Sequence, residues 1–252
     1  MGCRKLLGFS VGTSPKPPDR SRLRGDPTYP TVTGMPTPAV EDYLKAIFQL
    51  AQGDSAVGTS AIAERLGVAP GSVTGMLKRL GEQGLVEHQR YQGARLTDRG
   101  RREAIRMIRR HRVLELFLVE VLGYTWDQVH AEAERLEHAA SDGLINRMAA
   151  VLGDPEADPH GHPIPSPAGQ IAAEKLPTLA ELDVGTPAVL RRVSDDDPEA
   201  LRYLARLNLI PGVELRVLER TPLRGPLRVR VGETEEMVGL ELAQRLRVEP
   251  LD

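Results

Sequence analysis

The chain has 252 residues and a mass of 27.6 kDa, is 40% hydrophobic and 27% charged, and is long enough for more than one packed unit. A single cysteine, Cys3, excludes a disulfide framework and a zinc ribbon, and no apolar run reaches the length of a membrane span. Lys+Arg number 33 against 35 Asp+Glu, a net charge of −2 that, averaged over the chain, speaks against a nucleic-acid partner; the whole reads as a soluble cytoplasmic protein.

Proline punctuates the chain: seven of 20 fall in residues 1–38 and seven more in 155–187. Residues 1–35 are rich in Pro, Gly, Ser, Thr and Arg and lack periodicity, so they are expected to be a disordered extension, with order and a candidate start codon at Met35. Thr37-Pro38 offers an N-cap and an N1 proline to an amphipathic helix through Val40, Leu44, Ile47 and Phe48. A second helix is expected over 59–66, stopped by Gly67. A third runs from near Pro70 through Val73, Leu77 and Leu80 before Gly84. Two β-prone runs, 85–88 and 94–97, flank Arg90-Tyr91-Gln92-Gly93 as a hairpin tip. A long helix follows over about 98–122. Thr125 and Gln128 form a capping-box-like start to another over about 126–139, and Ser141 caps one that closes at Gly153. Residues 158–165, Asp-Pro-His-Gly-His-Pro-Ile-Pro, read as an ordered extended loop leading into a linker. Beyond it, 188–190, 213–217 and 227–231 alternate apolar and polar residues, with a short helix near 198–207, the pattern of a small β-barrel.

Helix, short turn, helix and hairpin over 59–97 are the layout of a winged helix-turn-helix. Small Ala63 lets two helices approach, Gly67 makes the turn, and Val68 and Val73 are expected to plug the core. Ser72, Thr74 and Gly75 then lie at the exposed start of the second helix, where short side chains reach base edges or phosphates in a major groove. Lys78, Arg79, Arg90 and Arg95 are placed to meet phosphate, with Arg90 and Tyr91 on the wing. Residues 59–110 hold eleven Lys/Arg against five acids, a local +6.

Residues 127–160 reverse the sign, with eight acids against Arg135 and Arg147, a local −6. Here His130, Glu134, Glu137 and His138 fall at i, i+4, i+7 and i+8, one stripe of a helix. Carboxylates and imidazoles on one face repel and are costly to desolvate unless a cation neutralises them. His111 and Glu115 repeat the i, i+4 spacing one helix earlier. Together they point to a divalent-metal site.

The segments 37–44, 111–115, 129–138 and 158–165 together resemble the diphtheria toxin repressor and manganese transport regulator family. That resemblance implies a mainly α chain: a winged helix-turn-helix DNA-binding domain over 36–99, a helical dimerisation and metal-binding domain over 100–167, a linker over 168–185, and an SH3-like (FeoA-like) β-barrel over 186–252. It implies that Asp42, Glu134, Glu137 and His138 form the primary metal site and that His111, Glu115 and His130 form a second. Asp195, Asp196, Asp197 and Glu199 lie about where relatives supply further ligands; an acidic helix N-cap explains them equally. Hard carboxylates at Asp42 and Glu134 suit Mn²⁺, with Fe²⁺ next. Where two-metal manganese regulators place a further glutamate in the first helix, this chain has Lys45. His160 and His162 read as loop structure. The implied protein is a non-enzymatic, metal-activated homodimer on palindromic double-stranded operator DNA, with no membrane partner. A metal-independent winged-helix regulator and a metallohydrolase are the competing readings, and no nucleophile motif favours the second. Ile105, Ile108, Leu116, Leu118, Leu144, Ile145 and Met148 are candidates for core and dimer packing.

Overall fold

A computed structural model describes residues 37–251 apart from 52, 54, 90–92, 173 and 174. The expected extension over 1–35 and the wing residues Arg90 and Tyr91 lie outside the described residues. Within unit 36–252, α1 (Pro38–Leu50), α2 (Thr59–Leu66) and α3 (Pro70–Glu82) precede a hairpin of β1 (Val86–Gln89) and β2 (Gly93–Leu96). Val40, Leu44 and Ile47 of α1 pack with Ile62, Val73, Leu77, Leu80 and Ala94 in one core, so α1 belongs to the same body as α3. Gly67 takes a left-handed conformation (φ +63°), which closes α2 and turns the chain toward α3. Val68 does not plug this core. It is 37% exposed, because its N–H bonds back to the Ala63 carbonyl in the helix-ending turn and leaves the side chain at the rim.

Thr97 caps the long α4 (Asp98–Glu120), accepting from Gly100 N, and Ser141 caps α6 (Asp142–Val151), accepting from Leu144 N. Between them α5 begins later than the capping box implied, at Val129, and runs to Leu136. Thr125 engages Asp127 with its side chain instead, so 126–128 forms a turn. Glu137 keeps helical geometry past the end of α5, its N–H bonding to Ala133 O, so the His/Glu stripe stays on one face. Val113 and Leu114 of α4 pack with Ala133 of α5 and with Ile145 and Ala149 of α6 in a second core.

The C-terminal part is a five-stranded antiparallel sheet in the order β6-β5-β4-β3-β7. Its strands are β3 (Pro187–Arg192), β4 (Glu214–Arg220), β5 (Leu227–Val231), β6 (Thr234–Val238) and β7 (Arg247–Pro250). The protein is therefore mixed helix and sheet rather than mainly α. The pairing describes a sheet rather than a closed barrel: among the named strands β6 and β7 each pair with one neighbour, and the outer edge of β7 is bridged at Arg247 by Thr178. Leu201 and Leu204 of α7 (Pro198–Arg206), Ala243 of α8 (Leu240–Ala243), and Leu179 and Leu182 cover the apolar face, where closure of the sheet on itself would otherwise have to do so.

The loop over 158–163 ties this sheet to the helices. Asp158 Oδ1 accepts from the backbone N–H groups of His160 and His162, and Val193 N donates to His160 O. Gly161 sits at φ +86°, where a Cβ would fall 1.8 Å from the Arg191 carbonyl oxygen.

Candidate metal centre

The predicted donors of α1, α4 and α5 converge. His138 is held between two acids of α1: Nδ1 lies 2.8 Å from Glu41 Oε2 and Nε2 lies 3.1 Å from Asp42 Oδ1. A buried carboxylate on one ring nitrogen fixes the tautomer and presents the other nitrogen as a ligand. Glu41 therefore orients the ring, a role the sequence reading missed although Glu41 adjoins Asp42. Arg110, itself buried, lies 3.8 Å from Glu41 and steadies it. Asp42, Glu137 and His138 form one compact donor group, and His111, Glu134 and Glu137 a second.

Lys45 fills the second group. Its ammonium is 2.7 Å from Glu134 Oε1, 2.9 Å from both oxygens of Glu137 and 3.1 Å from His111 Nδ1. Glu137 is 0% exposed and Lys45 6%. Burial alone would push Lys45 down, but Glu137 and Glu134 beside it hold it above its ordinary range. Burial likewise raises Glu134, and Lys45 overrides it and brings the carboxyl below its usual value. Asp42 is raised, chiefly by burial, with His138 opposing.

His111 faces both ways. Its Nδ1 lies 2.6 Å from Glu137 Oε2, and its Nε2 lies 2.9 Å from Glu115 Oε1 and 3.1 Å from His130 Nδ1. His130 Nδ1 is also 3.1 Å from Glu115 Oε1 and 3.6 Å from Asp195 Oδ2, so His111, Glu115, His130 and Asp195 make a third group. The run of acids after β3 thus divides its work. Asp195 turns to the histidines, Asp196 pairs with Arg65 of α2 at 2.7 Å, and Asp197 caps α7 through Glu199 N and Ala200 N.

Asp158, His160 and His162 compose a further group, read from the sequence only as loop structure. The loop hydrogen bonds are present, yet the side chains do more. His160 Nε2 donates to Trp126 O at 2.8 Å, which leaves Nδ1 facing Glu115 Oε2 at 3.6 Å. Glu115 Oε2, Asp158 Oδ2, His160 Nδ1 and His162 Nδ1 are all buried without a hydrogen-bond partner. Orphaned oxygens and ring nitrogens gathered in one place are the donor chemistry a divalent cation satisfies. The residues present therefore fit a metal ion.

In the metal-free protein protons take part of that role. Burial disfavours the imidazolium of His111, but Glu115 beside it and hydrogen bonds to Glu115 and Glu137 lift it to about 9. Burial opposes His160 likewise, and Glu115, Asp158 and Asp195 lift it to about 9. Both lie above the ordinary 6.5, so the stability they lend is complete below about pH 6.5 and is lost as pH rises through about 9. Thermal melts in chelator are expected to lose several degrees between those values; a flat melting temperature across that window would contradict the assignment.

Away from this centre, Ser72, Thr74, Gly75, Lys78 and Arg79 are exposed on α3 while Val73, Leu77 and Leu80 face the core. Arg95 is exposed on β2. Thr74 Oγ1 is turned back to Pro70 O. No helix of the described residues is long and apolar enough to cross a membrane.

Comparison with known proteins agrees with this division. Residues 35–94 match the family described as "Iron dependent repressor, N-terminal DNA binding domain". Residues 97–166 match "Iron dependent repressor, metal binding and dimerisation domain", and 178–250 match "FeoA domain". The chain is 32% identical over 221 residues to the iron-dependent repressor IdeR of Mycobacterium leprae, covering 83% of this chain and 96% of that one. It is 37% identical over 118 residues to the HTH-type transcriptional regulator MntR of Oceanobacillus iheyensis, covering 47% of this chain and 80% of that one. A solved manganese-dependent transcriptional repressor in complex with manganese superposes with a TM-score of 0.79 at 42% identity, over 84% of this chain and all of the other.

Proposed function

The chain belongs to the diphtheria toxin repressor and manganese regulator family, and on that premise we propose that it is a metal-dependent transcriptional regulator that binds operator DNA as a homodimer when loaded with Mn²⁺ or Fe²⁺. The single observation that carries this reading is the span of the donor groups: Asp42 lies on α1, within the core that holds α3, while Glu134, Glu137 and His138 lie on the α5 segment of the second core. Asp42, Glu134, Glu137 and His138 would hold the primary ion. His111, Glu115, His130 and Asp195 would hold a second, with the Asp158-His160-His162 loop against its far side through Glu115.

A bound divalent cation supplies positive charge that satisfies these carboxylates and imidazoles together. The chain's own residues do the rest. Glu41 keeps His138 Nε2 turned toward Asp42, and α1 carries the resulting constraint into the helix-turn-helix. That favours one orientation of α3 over others, a coupling between two sites through a shared two-state arrangement. On α3, Ser72, Thr74 and Gly75 would approach base edges and Lys78 and Arg79 the phosphates, joined by Arg95 and by Arg90 and Tyr91 of the wing. Leu144 (45% exposed) and Val151 (57%) on α6 and Val121 and Leu122 just after α4 are exposed apolar residues of the helical part, candidates for contact with a second copy. The role is regulatory rather than catalytic, because the carboxylates that could act as a base are bound to Lys45 or turned to histidines. Its setting would be the cytoplasm.

Fluorescence anisotropy on operator DNA tests this. Mn²⁺ is expected to raise affinity roughly 5- to 150-fold over chelator, and Glu134→Ala or His138→Ala to remove most of that gain. Equal affinity in chelator would favour a metal-independent winged-helix regulator.

A further inference from the structure

Lys45 is not merely a substituted ligand position. Its Nζ lies among the donor atoms of the His111, Glu134 and Glu137 group, where a bound cation would have to sit. We propose that Lys45 is a tethered cation: its ammonium permanently occupies this donor group, closes it to a divalent ion, and leaves the neighbouring Asp42–Glu137–His138 group as the place where metal enters.

The geometry has the features such a role requires. An ammonium carries three donors and no acceptor, and here it meets the carboxylates of Glu134 and Glu137 at 2.7–2.9 Å. Lys45 and Glu137 are buried, so their charge-assisted contact lies in a medium that screens poorly, while Glu134 closes the side open to water. The ammonium is also covalently held. Its stem leaves α1 between Leu44 and Ile47, both 0% exposed, so it cannot be diluted away as a free ion can. Two consequences follow. The carboxylate pair Glu134 and Glu137 is neutralised in part before any metal arrives, which keeps the metal-free centre folded in its liganding arrangement. A divalent ion held by Asp42, Glu134, Glu137 and His138 must share both glutamates with the ammonium, which weakens its binding. Lys45 thereby sets both the number of ions and the affinity.

This rests on the metal-dependent reading, and the test separates the two. Equilibrium dialysis of full-length protein against Mn²⁺ counts ions per chain, with electron paramagnetic resonance reporting spin-coupled pairs. Lys45→Met and Lys45→Gln are each expected to bind one more Mn²⁺ per chain than the wild type, with affinity tightened about tenfold. Lys45→Arg, which keeps the charge, should keep the wild-type count. In chelator, Lys45→Met should melt several degrees below wild type because the buried Glu137 carboxylate and the half-exposed Glu134 lose their cation. Wild type binding Mn²⁺ with an unchanged count in both neutral variants would overturn the tethered-cation role alone. Wild type and neutral variants all failing to bind Mn²⁺ would overturn the metal reading and this role with it.

Discussion

Glu137→Ala is expected to be the most damaging single change at the metal centre, losing both the metal response and much of the fold's stability. The carboxylate is fully buried and is the one group that touches Lys45 with both oxygens while also lying 2.6 Å from His111. Its removal leaves an ammonium and an imidazolium facing each other without the charge that reconciles them. Breaking a buried ion pair from one side costs about 3–5 kcal/mol, far more than the pair itself contributes. Urea unfolding in chelator should show a loss of that size. Operator binding should be weak at every Mn²⁺ concentration. Glu134→Ala is the informative contrast. Its side chain is 40% exposed and water can solvate Lys45 from that side, so the metal response is expected to fall while stability changes by about 1 kcal/mol. If the two variants unfold at the same denaturant concentration, Glu137 does not hold the place in the charge network given to it here.

Gly161→Ala is expected to be as severe, for a steric reason. The added Cβ would meet Arg191 O at 1.8 Å, Arg191 C at 2.9 Å and Arg192 Cα at 3.1 Å, all backbone atoms of β3. The φ of +86° adds its own strain for any residue with a Cβ. Relief requires the loop to leave β3, which breaks the Val193 N to His160 O bond and withdraws His160 from Glu115. A cost of about 3 kcal/mol or more is expected, confined to the joint between helices and sheet. Calorimetry should show the C-terminal sheet unfolding ahead of the helices, and proteolysis should cut faster within 166–177. A single transition at the wild-type temperature would show that the joint tolerates the change.

Much of this architecture is legible in the residues because local signals act there alone. Gly67 after the apolar-periodic 59–66 marks a helix end and Pro70 a favoured helix start, so the bounds of α2 and the start of α3 are readable, although Gly71, Gly75 and Gly81 sit inside α3 without ending it. The His/Glu stripe is equally readable, since a 3.6-residue period places its members together whatever they bind. Four features were hidden for physical reasons. Strands β6 and β7 carry Thr-Glu-Glu-Met-Val and Arg-Val-Glu-Pro, too short and too charged to alternate; what makes them strands is pairing at the sheet edges. Val68 looks like a core residue by hydrophobicity, but the turn that Gly67 imposes decides where it points. Lys45 is read from the sequence only as standing where relatives place a glutamate, and only the arrival of α4 and α5 turns it into a buried counter-ion. The same holds for His160 and His162: the Asp-Pro-His-Gly-His pattern explains the loop, and the unpartnered ring nitrogens appear only once Glu115 and Asp195 are set beside it.

The adjacent acids Asp195 and Asp196 face different bodies, one the His130 cluster and the other Arg65 on the helix before the DNA-reading α3. Alone, neither contact amounts to much; the Arg65 pair is largely in solvent and worth about 0–1 kcal/mol. Because one peptide unit joins them, however, making either contact raises the effective concentration of the other from that of a free partner to that of a neighbour already in place. The C-terminal sheet therefore engages the rest of the molecule as a bivalent ligand does. Whatever strengthens Asp195 in its cluster is expected to tighten the grip on α2 without any new contact there.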